Sequence, residues 1–242
     1  MAALAVVTPL FLIIGSSGSS DVSSTAPRAV IIDQLSLTMP NDDFRLSATN
    51  LLEHAGYRVD YYPGQQVTVP LYQGLPSHRY SLILLRAHSA MSVEVDKSTG
   101  QATSVEYVSL FTGEPYDQNK YSKEHGVGWA AYFDGGPRVF SIGARFVETS
   151  MKGKFGKTLV VLMGCEGLKT RTTAQAFIDR GASAVVGWTG PVLPGHTDAA
   201  TLSLLQHVLN GGLTLEQALA QTVSEVGPDP SSGAQFLLLP VH

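Results

Sequence analysis

Short apolar runs alternate with amphipathic stretches from residue 28 onward. RAVIID (28–33) follows a proline and is β-branched, which predicts a strand. In DDFRLSATNLLEHAG (42–56), Phe44, Leu46, Leu51, Leu52 and Ala55 fall largely on one helical stripe. Asp42 or Asp43 is available as its N-cap and Gly56 as its stop. YRVDYYPG (57–64) reads as a second strand ending in a turn. YSLILLRAH (80–88) and KTLVVLMGC (157–165) are nearly continuous apolar runs, as in strands covered on both faces. Residues 91–114 alternate and break at KSTGQ, the signature of a hairpin. Residues 116–128 are polar and predict a loop, and 137–153 begins as a strand and turns helical near Gly143. RTTAQAFIDRG (171–181) predicts a short helix, ASAVVGWTG (182–190) a strand, 198–210 and 214–225 two helices, and AQFLLLPVH (234–242) a last strand.

This order requires parallel crossovers. It predicts an α/β fold with a doubly wound, mostly parallel sheet, helices on both faces and a β-hairpin insertion spanning 91–136. In such sheets ligands bind beyond the carboxyl ends of the strands. His88 ends one buried strand and Cys165 another.

The amino terminus departs from this pattern. Residues 2–15 form an apolar run, shorter than the about 20 residues of a membrane span but suited to the apolar region of a signal peptide. No Lys or Arg precedes Arg28, so the basic start of such a peptide is missing, and a buried strand is the alternative. Export or anchoring through 2–15 is favoured over a cytoplasmic location. The Ser/Gly/Thr/Pro tract 15–27 reads as a flexible linker, which leaves 28–242 as the folded domain.

Composition narrows the function classes. Apolar content of 44% with 15% charged residues describes a globular chain. The net charge of −4 comes without any basic stripe, which argues against nucleic acid as a partner. A single cysteine excludes an intrachain disulfide and a cysteine-based zinc cluster. No cofactor is called for, and no acidic cluster demands calcium.

Cys165 stands between Gly164 and Glu166-Gly167, at the mouth of an apolar strand. Two readings are open: a packed core thiol, or a nucleophile whose thiolate is formed with a neighbouring imidazole. A cysteine leaving a strand into a Gly-flanked turn projects its sulfur above the sheet and points its own N–H at a developing oxyanion. Arg86, two residues before His88, shares its side of the strand, either in a buried ion pair or snorkelling to solvent. Glu166 either disfavours the thiolate by like charge or pairs with Arg86 or Lys169.

LILLRAHSA, then LVVLMGCEG, then AFIDRGASAVVGWTG, in this order, resemble the caspase-type (clan CD) cysteine peptidases, closest to the separase-related branch with its bacterial CHAT-type domains. The resemblance covers roughly residues 28–225. It implies a caspase-like peptidase domain, acting on peptides or proteins as an endopeptidase, with Cys165 as nucleophile through a thioester and His88 as acid/base. The backbone N–H groups of Cys165 and Ser89 are the implied oxyanion donors. Serine stands at 89 where the family usually has glycine, so a turn that demanded positive φ there would impair the hole. His125, followed by Gly126, matches the usual dipeptide better but sits in a polar stretch, so the strand-end argument favours His88.

The resemblance also implies that Met163, the loop after Trp188, Asp33 and Asp198 border the substrate side chain, with Glu166 and Trp188 as further substrate-binding candidates. Asp198 or Asp33 would then favour a basic residue before the scissile bond, unless Asp198 caps the helix at 199–210 and Asp33 a turn. The 91–136 insertion is a candidate lid or processing segment, with Lys120 and Lys123 as cleavage points. Two alternatives remain: a catalytically inactive relative serving as a binding or regulatory module, and a ligand-binding domain in which Cys165 merely packs. The latter lacks a phosphate loop, since GSSGSS (15–20) has neither the lysine nor the following helix.

Overall fold

The computed structural model describes residues 26–95, 100–210 and 212–240. The expectations for 2–15 and for most of the 15–27 tract therefore lie outside the described residues. β1 (Arg28–Asp33) leads through a 3-10 turn into α1 (Asp42–His54). The N-cap of α1 is Asn41, not Asp42 or Asp43: its side chain accepts from Phe44 N at 3.1 Å. The two aspartates occupy the first turn, where the helix dipole favours acids. β2 (Arg58–Pro63) is followed by α2 (Val69–Gly74), a short helix that the apolar pattern does not reveal. Thr68 caps it and Pro70 opens it. β3 (Leu82–Arg86) then enters the buried layer.

The 91–136 insertion is more than a hairpin. β4 (Ser89–Val95) and β5 (Ala102–Pro115) form the expected antiparallel pair, and β6 (Val127–Ala131) and β7 (Arg138–Ile142) join them in a second sheet ordered β4-β5-β7-β6. β6 reads VGWAA, which neither alternates nor carries β-branched residues beyond Val127, so its pairing with β7 comes from tertiary context.

The chain continues through α3 (Ala144–Thr149), β8 (Thr158–Leu162), α4 (Thr172–Asp179) and β9 (Ala182–Trp188). It closes with α5 (Pro194–Asn210), α6 (Leu215–Val226) and β10 (Phe236–Pro240). The main sheet has the order β10-β9-β8-β3-β1-β2. All its pairs are parallel except β10 against β9.

Strand alternation divides the core in two. Val30, Ile32, Ile83, Leu85, Val160 and Leu162 face α2, α3, α4 and the second sheet, meeting Tyr72, Phe146, Phe177 and Phe140. Ala29, Ile31, Leu84, Val161 and Val186 face α1, α5 and α6, meeting Phe44, Leu52, Leu204 and Ala218. Each large side chain so buried contributes about 1.5–3 kcal/mol, and covering both faces is what demands continuous apolar strands. The fold is thus mixed α/β with a mostly parallel, helix-flanked sheet. Among the described residues no helix is long and apolar enough to cross a membrane.

Candidate active site

β1 lies between β2 and β3, so the chain reverses its direction of travel across the sheet there. Ligands of doubly wound sheets sit above such a switch point. Asp33 and Arg86 end β1 and β3 and face each other in register, with His88 just beyond. β8 is the other neighbour of β3, and Met163 N donates to Leu85 O at 2.9 Å, carrying the ladder past the end of β8. His88 and Cys165 are therefore delivered to one edge by adjacent parallel strands.

The two strand ends touch. Ser89 Oγ donates to Cys165 O at 2.5 Å. A Cβ built on Gly164 would lie 2.2 Å from Ala87 O and 2.3 Å from Ser89 Oγ, so only glycine permits this approach. Gly164→Ala should accordingly cost about 1–3 kcal/mol in urea denaturation, the range of overpacking. Gly195→Ala is the control, since a Cβ there meets nothing within 4 Å. Equal stability of the two variants would show that the strand ends do not meet this closely.

Beyond Cys165 the backbone turns left-handed at Glu166, with φ +62. Non-glycine residues seldom adopt this conformation, and here three bonds hold it. Glu166 N donates to Gly190 O at 2.8 Å, Glu166 Oε2 accepts from Met91 N at 3.1 Å, and Oε1 pairs with Lys169 at 2.6 Å. Of the two partners weighed for Glu166, Lys169 is the one present; Arg86 is engaged elsewhere.

Ser89 does not require positive φ: it opens β4 opposite Leu110. Phe111 N donates to His88 O at 2.9 Å, which makes the next pair along, Ser89 and Leu110, a non-hydrogen-bonded one. The Ser89 N–H thus points away from β5, toward the same edge where Met91 N meets Glu166.

His88 is half-buried and held on three sides. Its Nε2 lies 2.9 Å from Thr38 Oγ1, and its backbone N–H donates to Gln34 Oε1 at 2.9 Å. Gln34 Nε2 in turn donates to Tyr132 OH at 3.0 Å. The Tyr132 and Phe111 rings pack on the imidazole at centroid distances of 5.4 and 6.0 Å. Burial, and then the Arg86 charge, hold the His88 pKa below the usual value of 6.5. Cys165 is also half-buried; its thiol contacts Val192 O at 3.8 Å and packs against the α1/α5/α6 face. The thiol and the imidazole make no hydrogen bond to each other.

Beneath them lies a buried ionic cluster. Arg86 is 1% exposed and does not snorkel. Its Nη1 donates to Asp33 Oδ1 at 2.7 Å, its Nε to Asp198 Oδ1 at 2.7 Å, and its Nη2 to Asp198 Oδ2 and Met39 O at 2.9 and 3.0 Å. Burial opposes the guanidinium charge, but Asp198 and then Asp33 outweigh it and hold Arg86 above its usual range. Asp198 also accepts from Asn41 Nδ2 at 2.9 Å, and Asp33 from Tyr61 OH at 3.1 Å. Burial and the Asp33 charge push Tyr61 up to about 12.

This cluster corrects several expectations. Asp33 and Asp198 are 2% and 3% exposed and both are committed to Arg86, so neither offers a carboxylate to a basic substrate side chain. Asp198 is not a helix cap either, because α5 begins at Pro194 and contains it. Asp33 shows no side-chain bond to the turn that follows β1. Met163 and Trp188 are fully buried rather than lining a cleft. Trp188 donates from Nε1 to Thr197 Oγ1 at 2.9 Å and stacks on Phe236. An even-numbered offset along a strand fixes the side a residue faces, but not whether a helix covers that side.

His125 is exposed and lines a cavity of about 670 Å³ between the β4–β5 hairpin and α3, together with Glu94, Tyr107 and Arg145. Lys120 and Lys123 are exposed on the stretch between β5 and β6. Among the described residues no group of three His, Cys, Asp or Glu is placed to hold a metal ion. Gln34, Thr38 and Tyr132 are the site residues that sequence reasoning missed. The strand-end rule that selected His88 applies equally to the residues after Asp33, and would have flagged Gln34 and Thr38. No family model matches the sequence, and no curated protein matches it.

Proposed function

We propose that this chain is a caspase-like cysteine peptidase that cleaves peptide bonds with Cys165 and His88. The observation that carries the reading is the delivery of both residues to one rim by the adjacent parallel strands β3 and β8, tied by the Ser89–Cys165 hydrogen bond. The first step requires the thiol to leave Val192 O and turn toward the imidazole. The sulfur then attacks the carbonyl carbon, an S–C bond forms, and the thiol proton passes to the imidazole. The Ser89 N–H faces the edge where the oxyanion develops. The C–N bond breaks, the amine leaves with the proton held by His88, and an acyl thioester remains. Water, deprotonated by His88, attacks the thioester; the acid is released and the proton returns to sulfur.

Thr38 is the positioning residue in this scheme. With Nε2 bonded to Thr38 Oγ1, the ring keeps Nδ1 for the thiol. Hydrolysis of a mixed fluorogenic peptide pool tests the proposal. The intact chain should turn over substrate and Cys165→Ala should leave none above background. Equal activity in the two proteins would sink it.

A second reading, an inactive binding module of the same fold, is favoured by one observation. The thiol rests on Val192 O and the Nε2 of His88 on Thr38, so the pair is not engaged. The same assay decides it, since a folded wild-type chain without turnover favours the module.

A further inference from the structure

At the strand ends that carry His88 and Cys165, Asp33, Arg86, Asp198, Glu166 and Lys169 are all paired with one another, and aromatic rings pack on the imidazole. Resting on the peptidase reading, we infer that the site accepts a peptide whose residues next to the scissile bond are large and apolar, not basic or acidic. Three observations lead there. First, the ionisable groups of the strand ends are mutually satisfied: Arg86 with Asp33 and Asp198, and Glu166 with Lys169. A basic side chain could reach Asp33 or Asp198 only by breaking the buried Arg86 cluster, a loss that the new pairing would not offset, while Glu166 and Lys169, the more exposed pair, already satisfy each other.

Second, much of the surface that touches the pair is aromatic or aliphatic. Phe111 and Tyr132 lie against the imidazole, and Cys165 packs on the cluster that contains Val192, whose carbonyl the thiol also meets.

Third, the exposed large apolar residues adjoin these walls in the chain. Leu37 and Met39 flank Thr38, Phe133 follows Tyr132, and Leu193 follows Val192. Met39 is 46% and Phe133 66% exposed, on loops fixed by Arg86 and by the Tyr132–Gln34 bond. Apolar side chains exposed on the loops that also carry the residues touching the pair favour a substrate with apolar side chains as their occupant. Asp134, an exposed carboxylate in the same β6–β7 turn, would argue for a basic side chain.

Acyloxymethyl ketones that differ only in the side chain before the warhead test this directly, with iodoacetamide reporting thiol reactivity alone. The Leu and Phe ketones should label Cys165 roughly tenfold or more faster than the Arg and Asp ketones, the discrimination an apolar pocket gives. Met39→Glu should narrow that ratio by slowing Leu and speeding Arg. An Arg ketone that is fastest in the wild type, and loses its lead in Asp134→Asn, overturns the inference and leaves the peptidase reading standing. An Asp ketone that is fastest does the same. Alkylation by iodoacetamide with no ketone reacting at any side chain overturns both.

Discussion

Replacing Arg86 with Met should destabilise the fold by about 3–5 kcal/mol, the cost of leaving a buried charge without its partner. Here two carboxylates are stranded at once. Asp33 and Asp198 are almost inaccessible to solvent, and both direct oxygens at the guanidinium from opposite elements, β1 and α5. The loss spreads, because Arg86 also donates to Met39 O and Asp198 also accepts from Asn41, the cap of α1. The loop carrying Thr38 would slacken, and with it the hold on His88. The triple variant Arg86→Met, Asp33→Asn, Asp198→Asn separates charge from packing. It removes every formal charge in the cluster and should recover a large part of the stability, as neutral replacements of buried ion clusters do. Urea denaturation of the single and triple variants is the measurement. A single variant within about 1 kcal/mol of wild type would mean that water reaches the cluster and pairs with its charges.

His88→Ala should lower kcat/KM for peptide hydrolysis by about 10²–10⁴, the usual weight of a positioned acid/base. His125→Ala should leave it unchanged, because His125 lines the cavity beside α3. The pH dependence is set by the direction of the His88 shift. Its pKa is lowered by burial and then by Arg86, so the ring stays neutral and basic as the pH falls below 6.5. The acid limb of kcat/KM belonging to this residue should therefore lie below 6.5. Stability follows the same sign. The unfolded chain binds a proton at this histidine before the folded one does. Its contribution is therefore complete above about 6.5 and is lost as the pH falls from there through the lower folded-state pKa. Thr38→Val distinguishes positioning from packing. It keeps the shape and removes the oxygen, and should lower kcat more than it raises KM. An acid limb unmoved between wild type and His88→Ala would assign the titration to another group.

Much of the architecture was legible because periodicity reports burial. The apolar runs LILL (82–85) and LVVL (159–162) inside β3 and β8 have no polar face, which in a short segment means a strand covered on both sides. β6 and α2 escaped detection because VGWAA and VPLYQG are too short and irregular for any period to register, and pairing or capping stabilises them instead. The strand-end rule located His88 and Cys165, since both follow runs that can only be buried.

The sequence by itself determined the order of the main-sheet strands and the longer helices, the two-faced core and the placing of one histidine and one cysteine just past buried strands, because these depend on hydrophobic patterning along a few consecutive residues. Only the tertiary structure decided how the polar groups are matched. Asp33, Arg86 and Asp198 come from distant points of the chain, and what makes them a closed ionic cluster rather than a substrate pocket is the packing of α5 over the sheet. Thr38, Gln34 and Tyr132 reach His88 from two different loops. Charge pairing and hydrogen bonding act over a few ångströms in space, without regard to separation in sequence, so no local pattern encodes them.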